Sequence, residues 1–307
     1  MPSSALPRRT RVYQNHHLDS SRWDGFRHRP GDIVITTAYK AGTTWMQGIV
    51  SSLLFGDSPP KAPWLLTPWI DMRIHPIDAI LEELDGQTHR RFIKTHLALD
   101  GLPFDPQVRY VYVGRHGPDV FMSLWNHYTG YTEETIGKLR DTPGLVGEPQ
   151  PPPPADPREL WQRWAPEGWF DWEFDGWPWW SLLHHVRTWW EWRHLPNVLF
   201  VHFNDLLADL SGEMRRIAEF LDVEVPAEEW DARVALATFA SMKRRATEIV
   251  PSGGTGFEGG AQRFLFKGTN GRWKDVLGDG DLRLWEGSVL RQLTPACAHW
   301  LEQGGAV

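Results

Sequence analysis

The chain has 307 residues, and 32 basic against 39 acidic side chains give it a formal net charge of −7 at pH 7. Because the sequence contains no basic block, it argues against a nucleic-acid partner. The single cysteine, Cys297, excludes an internal disulfide, and the sequence shows neither a signal peptide nor a long apolar span. We therefore expect a cytoplasmic protein without a membrane span, folded as one domain over residues 1–307.

The chain begins with a polar, irregular segment over residues 1–31, in which Trp23 and Phe26 are the expected anchors on the body. The β-branched apolar run 32–35 is typical of a buried strand. Five apolar residues then recur at helical spacing: Met46, Ile49, Val50, Leu53 and Leu54. Residues 36–45 therefore form a turn between a strand and a helix.

This turn is predicted to hold an anion. Gly42 lets the backbone approach a ligand closely, the amides of residues 40–44 lie at a helix N-terminus, and Lys40 adds a positive charge. The order of residues differs from that of a Walker A loop, in which the lysine follows the glycine. The alternative interpretation is an ordinary helix N-cap. The expected ligand is a phosphate group.

Two basic residues end the second predicted strand. After a helix over residues 77–84, residues 91–96 form a strand in which alternation places Lys94 and His96 on the same side. They stand at the carboxyl end of the strand, which is the edge where the phosphate-binding turn lies in a parallel sheet. The alternative is a solvated lysine beside a hydrogen-bonded surface histidine.

The third strand, over residues 108–114, leads into a further anion-binding pair. Arg115 follows the strand, and a helix over residues 118–128 carries Ser123 just over one turn from its start. The two side chains could hold one phosphate from two sides. A structural ion pair of Arg115 is the alternative.

The middle of the chain is unusually rich in proline and tryptophan. Residues 129–157 are predicted to be an exposed loop. Ten of the 19 tryptophans fall between Trp161 and Trp192, and a core rarely needs so many indoles because each buried N–H requires an acceptor. We predict an insert over about residues 141–180 that roofs the acceptor pocket as a lid. The alternative is that these indoles pack the insert onto the body.

The last third of the chain again contains predicted strands and helices. A fourth strand is predicted over residues 197–203, with helices over 206–221 and 281–300. The glycine-rich residues 252–260 between them are predicted to be mobile.

The motifs at these elements closely resemble those of the PAPS-dependent cytosolic-type sulfotransferases. The turn resembles the family's 5'-phosphosulfate loop, Tyr-Pro-Lys-Ser-Gly-Thr-Thr-Trp, with Ala38-Tyr39 in place of Tyr-Pro and Ala41 in place of Ser. The strand that ends in Lys94-Thr95-His96 resembles the catalytic strand, and residues 113–123 resemble the 3'-phosphate motif. The runs 67–71 and 89–96 are similar to the bacterial branch of the family, including a mycobacterial glycolipid sulfotransferase.

The resemblance implies a P-loop-like α/β fold, a parallel sheet flanked by helices in a single domain with a Trp-rich insert, and it implies PAPS as sulfuryl donor and PAP as product. Residues 237–242 resemble the family's Thr-Ser-Phe-x-x-Met, and residues 264–274 its Arg-Lys-Gly-x-x-Gly-x-Trp-Lys, with Phe266 in place of the arginine that contacts the 3'-phosphate. Phe203 stands in place of a tyrosine that contacts adenine. The implied donor-binding residues are Lys40, Ala41, Gly42, Thr43, Thr44, Trp45, Arg115, Ser123, Phe203, Thr238, Phe239, Met242, Lys267 and Gly268.

The resemblance also implies catalytic roles. Lys40 and the loop amides stabilise the leaving phosphate, Lys94 contacts the sulfonate oxygens, and His96 removes the proton of the acceptor hydroxyl. Ser123 would bond Lys40 and restrain it until the acceptor arrives. The residues implied at the acceptor are Phe26, Trp69, His96 and His185.

Two other classes of protein are alternatives to a sulfotransferase. A P-loop NTPase or small-molecule kinase would need the Gly-Lys-Ser/Thr order and a magnesium-binding aspartate. A non-catalytic nucleotide-binding protein would keep the loop without a base such as His96. We expect no metal site, because no acidic pair stands at the loop. Phenols, aliphatic alcohols and glycolipids all remain possible acceptors, and the sequence predicts no oligomeric state.

Overall fold

The computed structural model describes residues 6–307, so the first five residues of the predicted domain lie outside it. Its centre is a parallel four-stranded sheet in the order β2-β1-β3-β4, flanked by helices, which confirms the predicted fold class. The strands are β1, Ile33–Thr37; β2, Phe92–Thr95; β3, Arg109–Gly114; and β4, Val198–His202.

Fifteen α-helices occur within residues 6–307. Those before β4 are α1, Thr43–Phe55; α2, Pro63–Leu66; α3, Ile77–Gly86; α4, Gly117–Tyr128; α5, Glu133–Asp141; α6, Pro157–Trp164; and α7, Leu182–Trp190. Those after it are α8, Phe203–Ala208; α9, Leu210–Phe220; α10, Trp230–Ala237; α11, Phe239–Arg244; α12, Ala246–Ile249; α13, Gly260–Phe264; α14, Asp279–Gln292; and α15, Pro295–Gln303. No helix in the part of the chain that the structure describes is both long and apolar enough to cross a membrane.

The sheet is buried on both faces, which is why its strands read as continuous apolar runs. Alternate residues of one strand point to different cores. Ile33 and Ile35 pack into the core that contains α1 and α9, whereas Val34 packs into a larger core on the other face. All five residues of β1 are buried. The turn that follows β1 therefore begins at the end of a fully buried strand.

The Trp-rich insert forms part of the larger core. Trp161 and Trp164 of α6 are stacked with 5.4 Å between ring centroids, and Trp164 stacks on Trp285 of α14 at 5.3 Å. The Nε1–H of Trp161 donates to the carbonyl oxygen of Asp281 at 2.8 Å, so this indole is buried with its donor satisfied. Packing of the insert onto the body, the alternative interpretation, is what the structure shows.

Two long predicted helices are each divided in two, and one predicted loop contains a helix. Asp209, with φ of −147° and ψ of 81°, separates α8 from α9, and its Oδ1 accepts a hydrogen bond from the backbone N–H of Gly212 at 2.8 Å. Thr294 caps α15, and Pro295 occupies its first turn, which ends α14. Within the predicted loop 129–157, Thr132 caps α5. In each case a local side-chain cap decides the boundary.

A buried ion pair joins the starts of β1 and β2. Arg91 donates from Nε to Oδ1 of Asp32 at 2.9 Å and from Nη2 to Oδ2 at 2.5 Å, and both side chains are at most 2% exposed. Asp32→Asn should lower the free energy of unfolding by about 3–5 kcal/mol, because it leaves the buried guanidinium without its counter-charge. Urea denaturation followed by tryptophan fluorescence measures this change.

The matched control is Asp85→Asn, which alters a carboxylate 3.8 Å from the same guanidinium but 73% exposed. Solvent screens this second pair, so its loss should change stability by less than about 1 kcal/mol. If the two substitutions lowered the free energy of unfolding equally, burial of the Asp32–Arg91 pair would not increase its contribution to stability.

Candidate active site

A cavity of about 550 Å³ opens at the carboxyl edge of the sheet, where β1, β2 and β3 end. It reaches from the turn after β1 to the segments around α2 and α3. Fifteen of the residues predicted for the site line it: Lys40, Gly42, Thr43, Thr44, Trp45, Trp69, Lys94, His96, Arg115, Ser123, Phe203, Phe239, Met242, Lys267 and Gly268. The structure therefore brings together residues from seven different segments of the chain.

The backbone of the turn after β1 leaves the amides at the start of α1 free to bind a ligand. Gly42 precedes α1 with φ of 130°, and a Cβ there would lie 3.2 Å from the Phe203 ring, so a side chain would be strained and crowded. Thr37 Oγ1 lies 2.6 Å from Thr43 Oγ1, which ties the end of β1 to the first residue of α1. The amides at the start of α1 are left facing the cavity, as binding of an anion requires.

Lys40 lies in this turn with φ of 69°, an uncommon conformation for a residue other than glycine. Its Nζ is 3.0 Å from Nδ1 of His127 and 4.5 Å from the centroid of the Phe264 ring. Burial, followed by the charges of Arg115 and Lys94, lowers the pKa of Lys40 to about 7. Among the described residues, the hydrogen-bond partner of Lys40 is His127 and not Ser123.

His96 has the tautomer that a general base needs. Its Nδ1 lies 2.9 Å from the carbonyl oxygen of Thr37, and since a carbonyl only accepts, Nδ1 carries the proton and donates it. Nε2, for which residues 6–307 supply no hydrogen-bond partner, therefore keeps its lone pair. Burial lowers the pKa of His96 well below its ordinary value, so the ring is neutral near pH 7.

Aromatic rings surround this histidine. Its ring centroid lies 4.8 Å from that of Trp69 and 5.0 Å from that of Tyr39, both in edge-on contact. Trp69 is held by Asp71, whose Oδ2 accepts from the indole N–H at 2.6 Å. Burial lowers the pKa of Lys94 to about 8, although the charge of Asp71 opposes this shift. Asp71 thus positions a ring beside the base and partly stabilises the charge of Lys94.

Arg115 and Arg272 bring two guanidinium groups to the far end of the cavity. Arg115 donates to Oδ1 of Asn270 at 2.7 and 3.0 Å and lies 4.0 Å from the centroid of the Phe203 ring. Its pKa is lowered to about 10 by burial, and the charge of Arg272 adds to this shift. Two like charges that repel each other here are stabilised when an anion lies between them.

The slot beside these cations is flat and aromatic. The Trp45 and Phe203 rings meet edge-on at 5.0 Å, and Trp45 Nε1 donates to the carbonyl oxygen of Ala237 at 2.8 Å. Gly268 has φ of 65°, and a Cβ there would lie 2.4 Å from the Phe239 ring, so the backbone packs directly on that ring. Stacking surfaces of this kind fit a nucleobase.

Four residues predicted for the site lie outside the cavity lining. Phe26 packs between Trp23 and the guanidinium of Arg91, so it anchors the N-terminal segment. His185 is fully buried on α7 against the Tyr112 ring, and burial lowers its pKa to about 3. The other two are Thr238, which caps α11, and Ala41, which is buried beneath the turn.

The lining of the cavity in this structure differs from what the lid prediction implies. Between residues 6 and 307, the cavity has no lining residue from the Trp-rich stretch 161–192. Its outer wall consists instead of apolar residues around α2 and α3, including Trp64, Leu65 and Ile80, and of residues 251–268. Six of the ten indoles are buried in the larger core: Trp161, Trp164, Trp179, Trp180, Trp189 and Trp190. The ring of Trp180 also lies beside those of Tyr39 and His96, with 5.1 and 6.2 Å between centroids.

Sequence reasoning missed four residues of the site. Thr37 and Asp71 are short polar residues in otherwise apolar runs, and neither has a spacing that indicates contact with His96. His127 lies four residues after Ser123 on α4, and this helical spacing could have indicated that both face one cavity. Arg272 lies within residues 264–274, at a position where the motif Arg-Lys-Gly-x-x-Gly-x-Trp-Lys specifies no residue type.

A parallel sheet with a phosphate-binding turn, a neutral histidine and several cations at one edge defines an enzyme that transfers an anionic group from a nucleotide. The family model described as "Sulfotransferase domain" matches residues 30–283. The glycolipid sulfotransferases of Mycobacterium bovis and Mycobacterium tuberculosis are 32% and 33% identical to this chain, and each alignment covers 95% of this chain and 94% of the relative. Rat sulfotransferase 1A1 is 30% identical over 80% of this chain and 79% of its own.

Solved structures agree on the fold. Mouse sulfotransferase SULT7A1 complexed with PAP has a TM-score of 0.67 at 20% identity, covering 92% of this chain and 90% of that one. Retinol dehydratase in complex with retinol and PAP has a TM-score of 0.65 at 22% identity, covering 90% and 84%. The chain belongs to the sulfotransferase family, which confirms the resemblance of its motifs, and it is a PAPS-dependent sulfotransferase.

Replacing His96 tests its role as the base. His96→Ala and His96→Asn should each lower kcat about 10²- to 10⁴-fold with an aliphatic alcohol as acceptor, because both remove the lone pair that takes the hydroxyl proton. Asn can still donate to the carbonyl of Thr37, so it separates the loss of the base from the loss of the hydrogen bond. Steady-state release of PAP measures kcat.

His89→Ala is the control for this experiment, since His89 packs on Phe55 at 5.1 Å and does not line the cavity. It should leave kcat unchanged. Wild-type kcat in His96→Asn at neutral pH would mean that another group accepts the proton.

Proposed function

We propose that this enzyme transfers the sulfuryl group of PAPS to the hydroxyl of an elongated, largely apolar acceptor such as a glycolipid or long-chain alcohol, giving PAP and a sulfate ester. One observation supports this most strongly: a single cavity joins the phosphate-binding turn and His96 to an apolar wall around α2 and α3. An acceptor with a hydroxyl at one end of an apolar body fits such a cavity. The names of the mycobacterial relatives agree with a glycolipid.

The proposed reaction is an in-line displacement. The acceptor oxygen attacks the sulfur, the bond from sulfur to the bridging phosphate oxygen breaks, and the electron pair of that bond leaves on the phosphate of PAP. His96 Nε2 takes the hydroxyl proton. Lys40 and the amides of the turn stabilise the charge that develops on the phosphate, and Lys94 that on the sulfonate oxygens. The protein's part is to position the reactants and stabilise charge.

Arg272 takes the place of the missing arginine in holding the 3'-phosphate. Phe266 stands where the family has that arginine, and it offers no charge. The Arg272 guanidinium lies 5.2 Å from the centroid of the Phe266 ring and lines the same cavity as Arg115. Arg115, Ser123 and Lys267 complete the proposed site.

The predicted effect of Arg272→Gln is selective. It should weaken binding of PAP by about 1.5–3 kcal/mol, because one charge-assisted contact to a phosphate is lost, and should leave the affinity for AMP nearly unchanged. Titration calorimetry with both nucleotides measures the difference. Lys274→Gln is the matched control, since Lys274 is exposed and outside the cavity lining. If Arg272→Gln weakened the binding of PAP and of AMP equally, Arg272 would not contact the 3'-phosphate.

Substitutions on α3 test whether the acceptor is elongated. Ala79 lines the cavity, so Ala79→Trp should fill part of its apolar wall and raise KM for long-chain alcohols several-fold, with little change for a small phenol. Glu82→Trp adds the same side chain at an exposed position of α3 outside the lining and serves as control. Unchanged KM for every acceptor in Ala79→Trp would contradict an elongated acceptor bound along α3.

The function as a whole is tested by incubation with PAPS and a panel of hydroxyl compounds, with PAP release and the sulfated product followed by mass spectrometry. Phenols, short alcohols, long-chain alcohols and glycolipids form the panel. Parallel incubation with ATP and Mg²⁺ tests the kinase alternative. Sulfation of phenols alone would reject the proposed acceptor class, and phosphorylation would reject the proposed reaction.

We further propose that the enzyme works in the cytoplasm as one catalytic domain over residues 1–307, without a nucleic-acid partner. The net charge of −7 and the single cysteine, which is buried and unpaired, support this. The sulfotransferase match over residues 30–283 and the shared core that includes the insert support one domain.

A further inference from the structure

A row of hydrogen-bonded groups leads from Lys40 into the N-terminal segment. We call it the histidine–tyrosine row, and its members in order are Lys40, His127, Tyr39, Tyr131, His17 and His16. Lys40 Nζ lies 3.0 Å from His127 Nδ1, and His127 Nε2 lies 2.8 Å from Tyr39 Oη. The row ends where His16 Nε2 lies 2.6 Å from the carbonyl oxygen of Pro178.

The middle links are of unequal length. Tyr39 Oη lies 3.3 Å from Tyr131 Oη, which lies 3.4 Å from His17 Nε2, and these two contacts are long for hydrogen bonds. His17 Nδ1 and His16 Nδ1 are 2.5 Å apart. The three histidines are at most 5% exposed, and the two tyrosines are half-buried.

The two ends of the row determine its direction. A lysine ammonium can only donate, and a peptide carbonyl can only accept. Each group between them must therefore accept from the Lys40 side and donate toward Pro178. His127 is consequently protonated at Nε2, and the lone pair of its Nδ1 points at the Lys40 ammonium. The opposite direction would set a donor against a donor at Lys40.

His127 is also held neutral. Burial, and after it the charge of Lys40, keeps its pKa well below the ordinary value for histidine. A charged His127 would present an N–H to the ammonium and repel it. The neutral ring can therefore only accept from the Lys40 ammonium.

Lys40 needs such an acceptor. The charges of Arg115 and Lys94 disfavour its ammonium, and the neutral ring of His96 faces the same space. In the part of the chain that the structure describes, no carboxylate lies within ion-pair distance of Lys40. The Phe264 ring and His127 Nδ1 are the groups that stabilise its charge.

We propose that His127 is a positioning residue, which holds the Lys40 ammonium in place in the donor-free enzyme while the rest of the histidine–tyrosine row fixes its tautomer. His127 thereby performs the restraint on Lys40 that the family resemblance assigned to Ser123. Both residues lie on one face of α4, one turn apart, and both line the cavity. The proposal rests on the proposed contact of Lys40 with the leaving phosphate.

The contact predicts a specific pH dependence. Lys40 must be charged to bind the 5'-phosphate, so donor affinity is complete below the pKa of Lys40 and is lost as pH rises through it. Removing the acceptor destabilises the ammonium and lowers that pKa further. A charge-assisted hydrogen bond of ordinary strength corresponds to a shift of about one pH unit, which is a tenfold change in the protonation equilibrium.

Three substitutions of His127 distinguish the loss of its hydrogen-bond acceptor from the loss of its packing contacts. Asn and Leu have nearly the same shape, but only Asn offers an acceptor near the position of Nδ1. Phe preserves the contacts with the Phe257 and Phe264 rings, whose centroids lie 4.6 and 5.4 Å from that of His127. If His127→Leu does not fold, the comparison of His127→Phe with His127→Asn still tests the proposal.

The pKa of Lys40 is measured in the donor-free protein by its rate of acetylation with limiting acetic anhydride across pH, read by mass spectrometry. His127→Leu and His127→Phe should lower this pKa by about one unit, and His127→Asn should restore it to within about 0.3 unit of wild type. The alkaline limb of kcat/KM for PAPS, which reports the free enzyme, should move with it.

Two results would overturn the proposal: a wild-type pKa of Lys40 in His127→Leu and His127→Phe, or an equal fall in all three variants, which would indicate packing alone. The acetylation measurement needs no turnover, so it is independent of the proposed function. Lys40→Ala with unchanged kcat would contradict the role of Lys40 in the reaction, whether or not His127 sets its pKa.

Discussion

The active site depends on confining several positive charges in one cavity. Lys40, Lys94 and Arg115 share one cavity, and burial lowers the pKa of each. Because these charges also repel one another, bringing them together is electrostatically unfavourable, and an anion with several charges bound among them would offset that cost. A donor that carries two phosphate groups and a sulfonate is such an anion. The same field stabilises the charge that the leaving phosphate gains during transfer.

The sheet and the two cores hold these cations at fixed positions. The end of β1 supplies Thr37, which bonds both the turn and His96, so the anion site and the base are connected through one residue. The Trp-rich insert packs against α4 and α14 and thereby supports the helix that carries Ser123 and His127. Trp161 and Trp164 therefore pack behind this helix, whereas Trp180 lies beside the rings of Tyr39 and His96.

Hydrogen bonding sets the protonation of both histidines at the reaction centre. The carbonyl of Thr37 accepts from Nδ1 of His96 and leaves the lone pair on its Nε2, whereas the ammonium of Lys40 makes His127 an acceptor at Nδ1. The two rings have the same chemistry and opposite tautomers, because one faces a group that only accepts and the other faces a group that only donates. Burial keeps both neutral.

The sequence by itself determined the parallel sheet, its strands and the turn after β1, because apolar runs and helical spacing depend on neighbours along the chain. It also indicated Lys40, Lys94, His96 and Arg115, whose motifs are local. Only the tertiary structure decided that His127 contacts Lys40, that Phe26 and His185 lie outside the cavity and that the insert packs in the core. These outcomes depend on which distant surfaces meet, and a pattern along the chain carries no information on the partner that finally buries a side chain.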